Sequence, residues 1–154
     1  VRVSHPMTQP NATMLKFGYP ASTVAETDLW SVQVRPQQPA LGALVLVCKE
    51  PATAFGQLSP AAFADLQTVV ARVEAVLTRF TAYQKINYLM LMMVDPDVHF
   101  HVIPRYEGAR DYAGIGFPDA GWPGPPALGQ ALALDAATLA ALAADLKAMW
   151  VNVT

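Results

Sequence analysis

One helix pattern constrains the fold of this chain more than any other feature. Apolar residues recur at three- and four-residue spacing from Ser59-Pro60 to about Thr81, which predicts one long amphipathic helix. Ser59 supplies an N-cap oxygen and Pro60 sets φ at the first helical position, so the helix start is defined locally. Such a helix must bury its apolar stripe against another layer, and the neighbouring segments indicate that this layer is a β-sheet.

Four segments rich in β-branched and aromatic residues predict the strands of that sheet: 27–34, 43–48, 87–94 and 98–104. Asp95-Pro96-Asp97 separates the last two segments and predicts an antiparallel hairpin closed by a tight turn. Glu107–Pro126 is rich in Gly and Pro and predicts a long loop without regular structure. A C-terminal helix with Asp135 as its N-cap completes a predicted α+β fold with a twisted, mainly antiparallel sheet.

Composition sets the domain count and excludes some partners. The 154 residues are 53% hydrophobic and 14% charged, which predicts a single domain over 14–154, while residues 1–13 lack periodicity and predict a flexible tail. A net charge of -2 gives no field that would attract a nucleic-acid polymer. Cys48 is the only cysteine, which indicates a reducing compartment, and no apolar run reaches the length of a membrane span. We therefore expect a cytoplasmic protein without a membrane partner.

Two of the three histidines of the chain lie within Asp97–Arg105, and the third is His5 in the predicted tail. Alternate residues of a strand share a face, so Asp97, His99 and His101 are expected to line one cleft while the apolar residues between them face the core. A neutral imidazole can attack phosphorus or shuttle protons. The same set could hold zinc or iron, or the histidines could simply cover an amphipathic strand, so the residues alone leave three alternatives open.

The sequence DVHFHVIPR at 97–105 resembles the signature of the histidine triad superfamily, His-φ-His-φ-His-φ-φ, where φ is an apolar residue and Pro-Arg commonly follows. Gly42–Cys48 resembles the Gly-His-φ-Leu-Val strand of that superfamily, and the helix from Ser59 resembles its long helix. Trp122–Pro125 resembles a Trp-Pro-Gly-Pro segment of some bacterial members. The resemblance covers roughly 15–126 and implies a twisted antiparallel sheet with the long helix on one face, usually assembled as a homodimer.

The resemblance also implies an activity, the hydrolysis of nucleotide phosphoanhydrides or phosphoramidates, with dinucleoside polyphosphates as one candidate substrate class. His99 takes the place of the nucleophile that forms a nucleotidyl-histidine. His101 and Asp97 would stabilise charge and protonate the leaving group, with no metal or other cofactor required. Three further side chains are candidates for nucleotide binding: Arg35, Arg105 and Trp122. A guanidinium can bind phosphate through two N–H groups, and an indole can stack on a base.

Several positions depart from the superfamily pattern. Asp97 stands in place of the first histidine, Ala43 in place of the histidine of the Gly-His strand, and Arg35 where a ribose-binding Asp or Asn usually lies. The turn at Val94–Pro96 replaces a Gly-Gln-Ser/Thr loop that grips phosphate. These departures support a second hypothesis, a nucleotide-binding or regulatory protein with weak turnover, and a His/Asp metal-binding protein is the third.

Overall fold

The computed structural model describes residues 9–153. The helices are α1 (Ala12–Lys16), α2 (Pro60–Thr81) and α3 (Ala136–Asn152). The strands are β1 (Thr23–Glu26), β2 (Trp30–Val34), β3 (Gln37–Gln38), β4 (Leu44–Cys48), β5 (Lys85–Leu89), β6 (His99–Arg105), β7 (Ala109–Tyr112), β8 (Ile115–Pro118) and β9 (Leu132–Ala133).

Five strands form one sheet in the order β1-β2-β4-β6-β5, and every neighbouring pair is antiparallel. Strands β2 and β4 are buried along their whole length, as expected for the inner strands of a sheet that is covered on both faces. Strands β3 and β9 form a separate two-stranded pair, as do β7 and β8. The predicted α+β class with a mainly antiparallel sheet is confirmed.

The long helix α2 begins where its local sequence places it. The Ser59 hydroxyl accepts a hydrogen bond from the Ala62 amide at 3.1 Å, and Pro60 is the first helical residue. Val69, Val73 and Leu77 are buried in the main core together with Leu142 of α3. Helices α2 and α3 therefore cover the same face of the sheet, whose strands supply the apolar residues beneath them.

The opposite face of the sheet is more polar, and a short N-terminal segment covers part of it. Met14 packs on Val45 and Val47 of β4 and, with Phe17, forms a small second apolar cluster. The Gln33 side chain of β2 donates hydrogen bonds to the backbone carbonyls of Met14 at 3.0 Å and Phe17 at 3.3 Å. Helix α1 is held against this face by a combination of apolar packing and buried hydrogen bonds.

The connection between β5 and β6 differs from its prediction. The antiparallel pairing is confirmed, with Leu89 opposite His101, but β5 ends at Leu89 and residues 90–98 form a loop in place of a tight turn. Met92 has φ of +52°, a left-handed conformation that a continuing strand does not adopt. The apolar residues that extended the predicted strand to Val94 belong to this loop instead.

The long-loop prediction for Glu107–Pro126 was also wrong, because β7 and β8 form a hairpin there. Ala113 and Gly114 have φ of +54° and +78°, the positive values that both central residues of a type I′ turn require. The usual Asn-Gly or Asp-Gly signal for such a turn is absent from the sequence.

The predicted tail of residues 1–13 overlaps the ordered fold at its end. Asn11 caps α1 by accepting a hydrogen bond from the Met14 amide at 2.9 Å, so α1 begins before the predicted domain boundary. Residues 1–8, which include His5, lie outside the described residues. None of the helices within 9–153 combines the length and apolar character that a bilayer span needs. The cytoplasmic location stays a prediction.

Candidate active site

A pocket of about 400 Å³ opens on the polar face of the sheet. Four segments far apart in the sequence line it: Lys16-Phe17 at the end of α1, Arg35–Gln37 after β2, Leu91–Asp95 in the β5–β6 loop, and the two histidines of β6. His99 and His101 share this face because they are alternate residues of one strand, as predicted. Their ring centroids lie 5.1 Å apart.

The imidazole of His99 is held by a backbone carbonyl. Its Nδ1 lies 2.7 Å from the carbonyl oxygen of Asp97. A carbonyl oxygen can only accept a hydrogen bond, so Nδ1 must carry the hydrogen, and in the neutral ring Nε2 then bears the lone pair. His99 is thus oriented as a nucleophile or base that acts through Nε2.

The imidazole of His101 has a different partner. Arg35 Nε donates a hydrogen bond to His101 Nδ1 at 3.2 Å. Burial first, and then the positive charge of Arg35, lower the pKa of His101 from 6.5 to about 4. His101 is therefore neutral around pH 7. Of the two other charged residues in the pocket, Lys16 also lowers the pKa of His101 and only Asp95 raises it.

Residues from α1 close one side of the pocket. The Phe17 ring lies against both imidazoles, with centroid separations of 6.0 Å to His99 and 5.7 Å to His101. The Lys16 ammonium pairs with the Asp95 carboxylate at 2.9 Å, which joins α1 to the β5–β6 loop. His99 and His101 are only 2% and 7% exposed, so little of either side chain is open to solvent.

Comparison with known proteins identifies the family. The HIT domain family model matches residues 17–108, a segment that contains β1 to β6 and both histidines. The chain belongs to the HIT domain family. The resemblance inferred from DVHFHVIPR is thereby confirmed. No curated protein matches the chain in sequence.

Solved structures of HIT proteins share this fold. A histidine triad protein from Bradyrhizobium japonicum is similar at 25% identity and a TM-score of 0.68, over 91% of this chain and 96% of that chain. A histidine triad protein from Sinorhizobium meliloti has 24% identity and a TM-score of 0.69, over 90% and 93% of the two chains. A diadenosine triphosphate hydrolase from Plasmodium falciparum has 10% identity and a TM-score of 0.61, over 84% and 76%, which shows a common fold alone.

Asp97 does not line the pocket of this HIT protein with the two histidines, contrary to the prediction. Its carboxylate accepts hydrogen bonds from the amide of Thr13 at 3.1 Å and from the Thr13 hydroxyl at 2.8 Å. Strand β6 begins at His99, so the alternation of side chains does not extend back to Asp97. Asp97 contributes to the site through its carbonyl oxygen, while its carboxylate fastens α1.

The ligand set considered for a metal is not assembled for the same reason. The Asp97 carboxylate is directed to Thr13, which leaves the two imidazoles without the predicted carboxylate partner. Across residues 9–153, no group of three or more His, Cys, Asp or Glu side chains is placed to hold a metal ion.

Arg105 and Trp122, predicted as nucleotide-binding residues, lie away from the histidines. Arg105 is 3% exposed and forms a buried ion pair with Asp119, with N–O distances of 2.8 and 3.1 Å. Its guanidinium also donates to the Asn87 side chain and the Gly124 carbonyl, and a separate groove contains both Arg105 and Trp122. Arg105 ends the strand that His99 begins, a separation of about 20 Å along an extended strand. Arg105 holds the loop that contains Gly124.

Sequence reasoning identified His99, His101 and Arg35 but missed Lys16, Phe17 and the apolar part of the β5–β6 loop. Helix α1 has five residues, so it has no periodicity to detect, and its position depends on contacts with Gln33 and Asp97. The loop residues looked like a continuation of β5 because they are apolar. Both misses concern segments placed by tertiary contacts.

Proposed function

We propose that this HIT protein hydrolyses nucleotide phosphoanhydrides or phosphoramidates through a nucleotidyl-histidine on His99. The observation that carries the proposal is the 2.7 Å contact between His99 Nδ1 and the Asp97 carbonyl oxygen. This contact keeps the hydrogen on Nδ1 and leaves the Nε2 lone pair available to a phosphorus atom. A histidine that only covered the surface of a strand would not require a fixed tautomer or a position in a pocket.

The proposed reaction has two displacements at the same phosphorus. His99 Nε2 forms an N–P bond as the bond to the leaving group breaks, and the leaving group keeps the bonding electron pair. A phosphate leaving group departs as an anion, whereas an amine takes a proton from solvent. Water then attacks the phosphorus and loses a proton to solvent. The N–P bond breaks with its electron pair returning to His99 Nε2, and a nucleoside monophosphate leaves with His99 neutral again.

The pocket has groups suited to such a substrate. Lys16 and Arg35 both line it, and because Asp95 pairs with Lys16, the net positive charge that favours a phosphate chain comes from Arg35. The Phe17 ring, Pro36 and Leu91 supply apolar surface for a planar base. Dinucleoside polyphosphates stay a candidate class, because the Plasmodium falciparum protein that shares the fold is a diadenosine triphosphate hydrolase.

The test is the variant His99→Asn, assayed on a panel of dinucleoside polyphosphates and adenosine phosphoramidates. We expect wild-type turnover and a loss of about 10³-fold or more in the variant, because Asn cannot form the N–P bond. His5→Asn is the matched control, since it makes the same change outside the described residues. A labelled nucleotide trapped on the protein should map to His99. Full activity in His99→Asn, or label on another residue, would contradict the proposal.

The second candidate function is nucleotide binding with weak turnover. It is favoured by the Asp97 carboxylate, which faces Thr13 and cannot protonate a leaving group in the pocket. Calorimetry with a non-hydrolysable dinucleotide, alongside the turnover assay, separates the two functions. Tight binding with no turnover in the wild type would establish the second and exclude the first.

We also propose that the chain forms a homodimer through the edge strand β5. This strand has one neighbour in the sheet, and residues that follow it, Met93 and Val94, are 85% and 80% exposed. Exposed apolar side chains next to an open strand edge are typical of an interface. Light scattering should give twice the chain mass, and replacing Met93 and Val94 together by Glu should give the single mass. A wild type of single mass would contradict the dimer.

A further inference from the structure

Arg35 is distinguished from the other cations of the pocket by its partner. Lys16 pairs with Asp95, whereas Arg35 is absent from the ion pairs found within residues 9–153. The half-buried Arg35 side chain donates instead to a neutral base, with Nε 3.2 Å from His101 Nδ1, and Nη1 donates to the Gln37 carbonyl at 2.7 Å. The bond to the Gln37 carbonyl fixes the guanidinium, and the bond from Nε joins it to the imidazole.

The direction of the Arg35–His101 bond determines where the imidazole carries its hydrogen. An arginine Nε is always a donor, because the guanidinium keeps all its hydrogens in proteins. His101 Nδ1 must therefore be the acceptor, and the hydrogen of the neutral ring is on Nε2. This is the reverse of His99, whose hydrogen is on Nδ1 because a carbonyl accepts it. At Nε2, His99 consequently offers a lone pair and His101 offers an N–H donor.

We propose that Arg35 is a positioning residue that holds His101 as a neutral imidazole with its hydrogen on Nε2, so that His101 donates a hydrogen bond to the ligand and does not act as a cation. The identity of that ligand as a phosphate group rests on the proposed function. The state of the ring itself does not, since it follows from the contacts in the free protein.

The charged and titratable groups around His101 support the neutral state. They are Arg35 after β2, His99 on β6, Lys16 at the end of α1 and Asp95 in the β5–β6 loop. Arg35, His99 and Lys16 lower the pKa of His101, as does burial, and Asp95 alone opposes them. The remaining neighbours, Phe17 against the ring and the paired residues Val45 and Leu89, have no charge.

The experiment is ¹⁵N NMR of the imidazole nitrogens in the full chain, without substrate, across pH about 5 to 8. The chain has three histidines, so His5→Asn and His99→Asn assign the spectrum. In the wild type we expect His101 to show a protonated Nε2 and a bare Nδ1 across this range, with no titration. His99 should show the opposite tautomer. A hydrogen on His101 Nδ1, or an imidazolium at neutral pH, would overturn the proposal.

Two variants then test whether Arg35 is the cause. Arg35→Met removes both the charge and the donor, so the titration midpoint of His101 should rise toward 6.5 and its tautomers should mix. Burial still lowers the midpoint, so the rise should stop short of 6.5. Arg35→Lys keeps the charge on a flexible chain and should fall between the wild type and Arg35→Met. Unchanged tautomer and midpoint in Arg35→Met would overturn the role of Arg35.

The outcomes separate this inference from the proposed function. If His101 has the expected tautomer and the protein turns over no nucleotide, the proposed hydrolysis fails and the role of Arg35 stands. If the protein hydrolyses nucleotides through His99 but His101 is protonated at neutral pH, the hydrolysis stands and the role of Arg35 is overturned.

Discussion

The two faces of the five-stranded sheet are built differently from the same strands. The face beneath α2 and α3 presents side chains such as Val32, Leu46 and Val102, which are apolar and no more than 1% exposed. The other face presents a mixed set in which buried polar residues sit beside Val45 and Val47: Ser31, Gln33, His99 and His101. One face therefore stabilises the fold by burying apolar area, and the other contains the candidate active site.

The polar face is tolerated because its buried groups have partners. The Ser31 hydroxyl donates to Gln33 Oε1 at 2.8 Å, and Gln33 Nε2 donates to the Met14 carbonyl at 3.0 Å. His99 bonds to the Asp97 carbonyl, and His101 accepts from Arg35. An unpaired buried polar group costs about 1–3 kcal/mol. Removing one hydrogen-bond partner on this face should therefore lower the free energy of unfolding at least as much as removing a buried methyl group from the other face.

The largest stability effect is expected on the helix-covered face. Leu46→Ala removes a fully buried side chain and should lower the free energy of unfolding by about 3 kcal/mol, because it leaves a cavity. Turnover per folded molecule should not change, since Leu46 does not line the active-site pocket. Urea unfolding measures the free energy, and kcat per folded molecule measures the turnover. Leu132→Ala, at a side chain 40% exposed, is the control and should cost about 0.5 kcal/mol or less. A lower kcat per folded molecule in Leu46→Ala would show that the two faces are not independent.

The next largest effect is a pH dependence that originates on the polar face. His101 has a pKa of about 4 in the folded chain and about 6.5 when unfolded, so between these values the unfolded chain binds a proton that the folded chain does not. Stability should therefore be highest above pH 6.5 and fall by about 2–3 kcal/mol as the pH drops to 4. Urea unfolding at a series of pH values measures this slope, and His101→Gln should flatten it. If His101→Gln and the wild type had the same slope of stability against pH, the pH dependence would come from other groups.

The helix-covered face could be predicted from the sequence, because its signals are local. Ser59-Pro60 marks the start of α2, and the apolar stripe of that helix requires a sheet beneath it. The alternation of His99 and His101 with apolar residues placed both imidazoles on one face correctly. These inferences need only the period of a helix or strand, which the residues themselves specify.

The polar face was harder to predict, because its positions depend on contacts between distant segments. Asp97 turns toward Thr13, a residue 84 positions away in sequence, and no period of 3.6 or 2 encodes that pairing. Residues 90–94 are apolar enough for a strand, yet Met92 adopts a left-handed conformation and the chain leaves the sheet. The Ala113-Gly114 turn lacks the Asn or Asp that normally signals its type, so the β7–β8 hairpin was missed.

Gln33→Met tests how much the hydrogen bonds of the polar face contribute to stability. Met has a similar length but cannot donate to the carbonyls of Met14 and Phe17 or accept from Ser31. The buried Ser31 hydroxyl would lose its acceptor, whereas the two carbonyls would keep the Tyr19 amide and the Ser22 hydroxyl as donors. We therefore expect a loss of about 1–3 kcal/mol in the free energy of unfolding, even though the new side chain is more apolar. Val32→Ile, on the neighbouring position of the other face, is the control for a change of volume. A more stable Gln33→Met protein would show that the polar network adds nothing to the fold.

The smallest expected effect concerns Asp97, and it separates the two roles of this residue. Asp97→Asn keeps one side-chain oxygen that can accept from the Thr13 amide and hydroxyl, so α1 should stay docked and stability should fall by less than about 1 kcal/mol. Turnover should fall only slightly, because the backbone carbonyl still holds His99 Nδ1 and the carboxylate does not face the pocket.

Asp97→Ala removes both acceptor oxygens, so α1 should loosen and Lys16 and Phe17 should lose their positions in the pocket. KM should then rise more than kcat falls, since binding surface is lost while the nucleophile stays oriented. The two variants differ in whether residue 97 offers Thr13 a side-chain acceptor, since the backbone amide of residue 97 donates to the Thr13 hydroxyl in both. Kinetics across pH compare them directly. If Asp97→Asn reduced kcat as strongly as Asp97→Ala, and most of all at low pH, where a carboxyl group is protonated, that group would be a proton donor in the reaction and its contact with Thr13 would have to break during turnover.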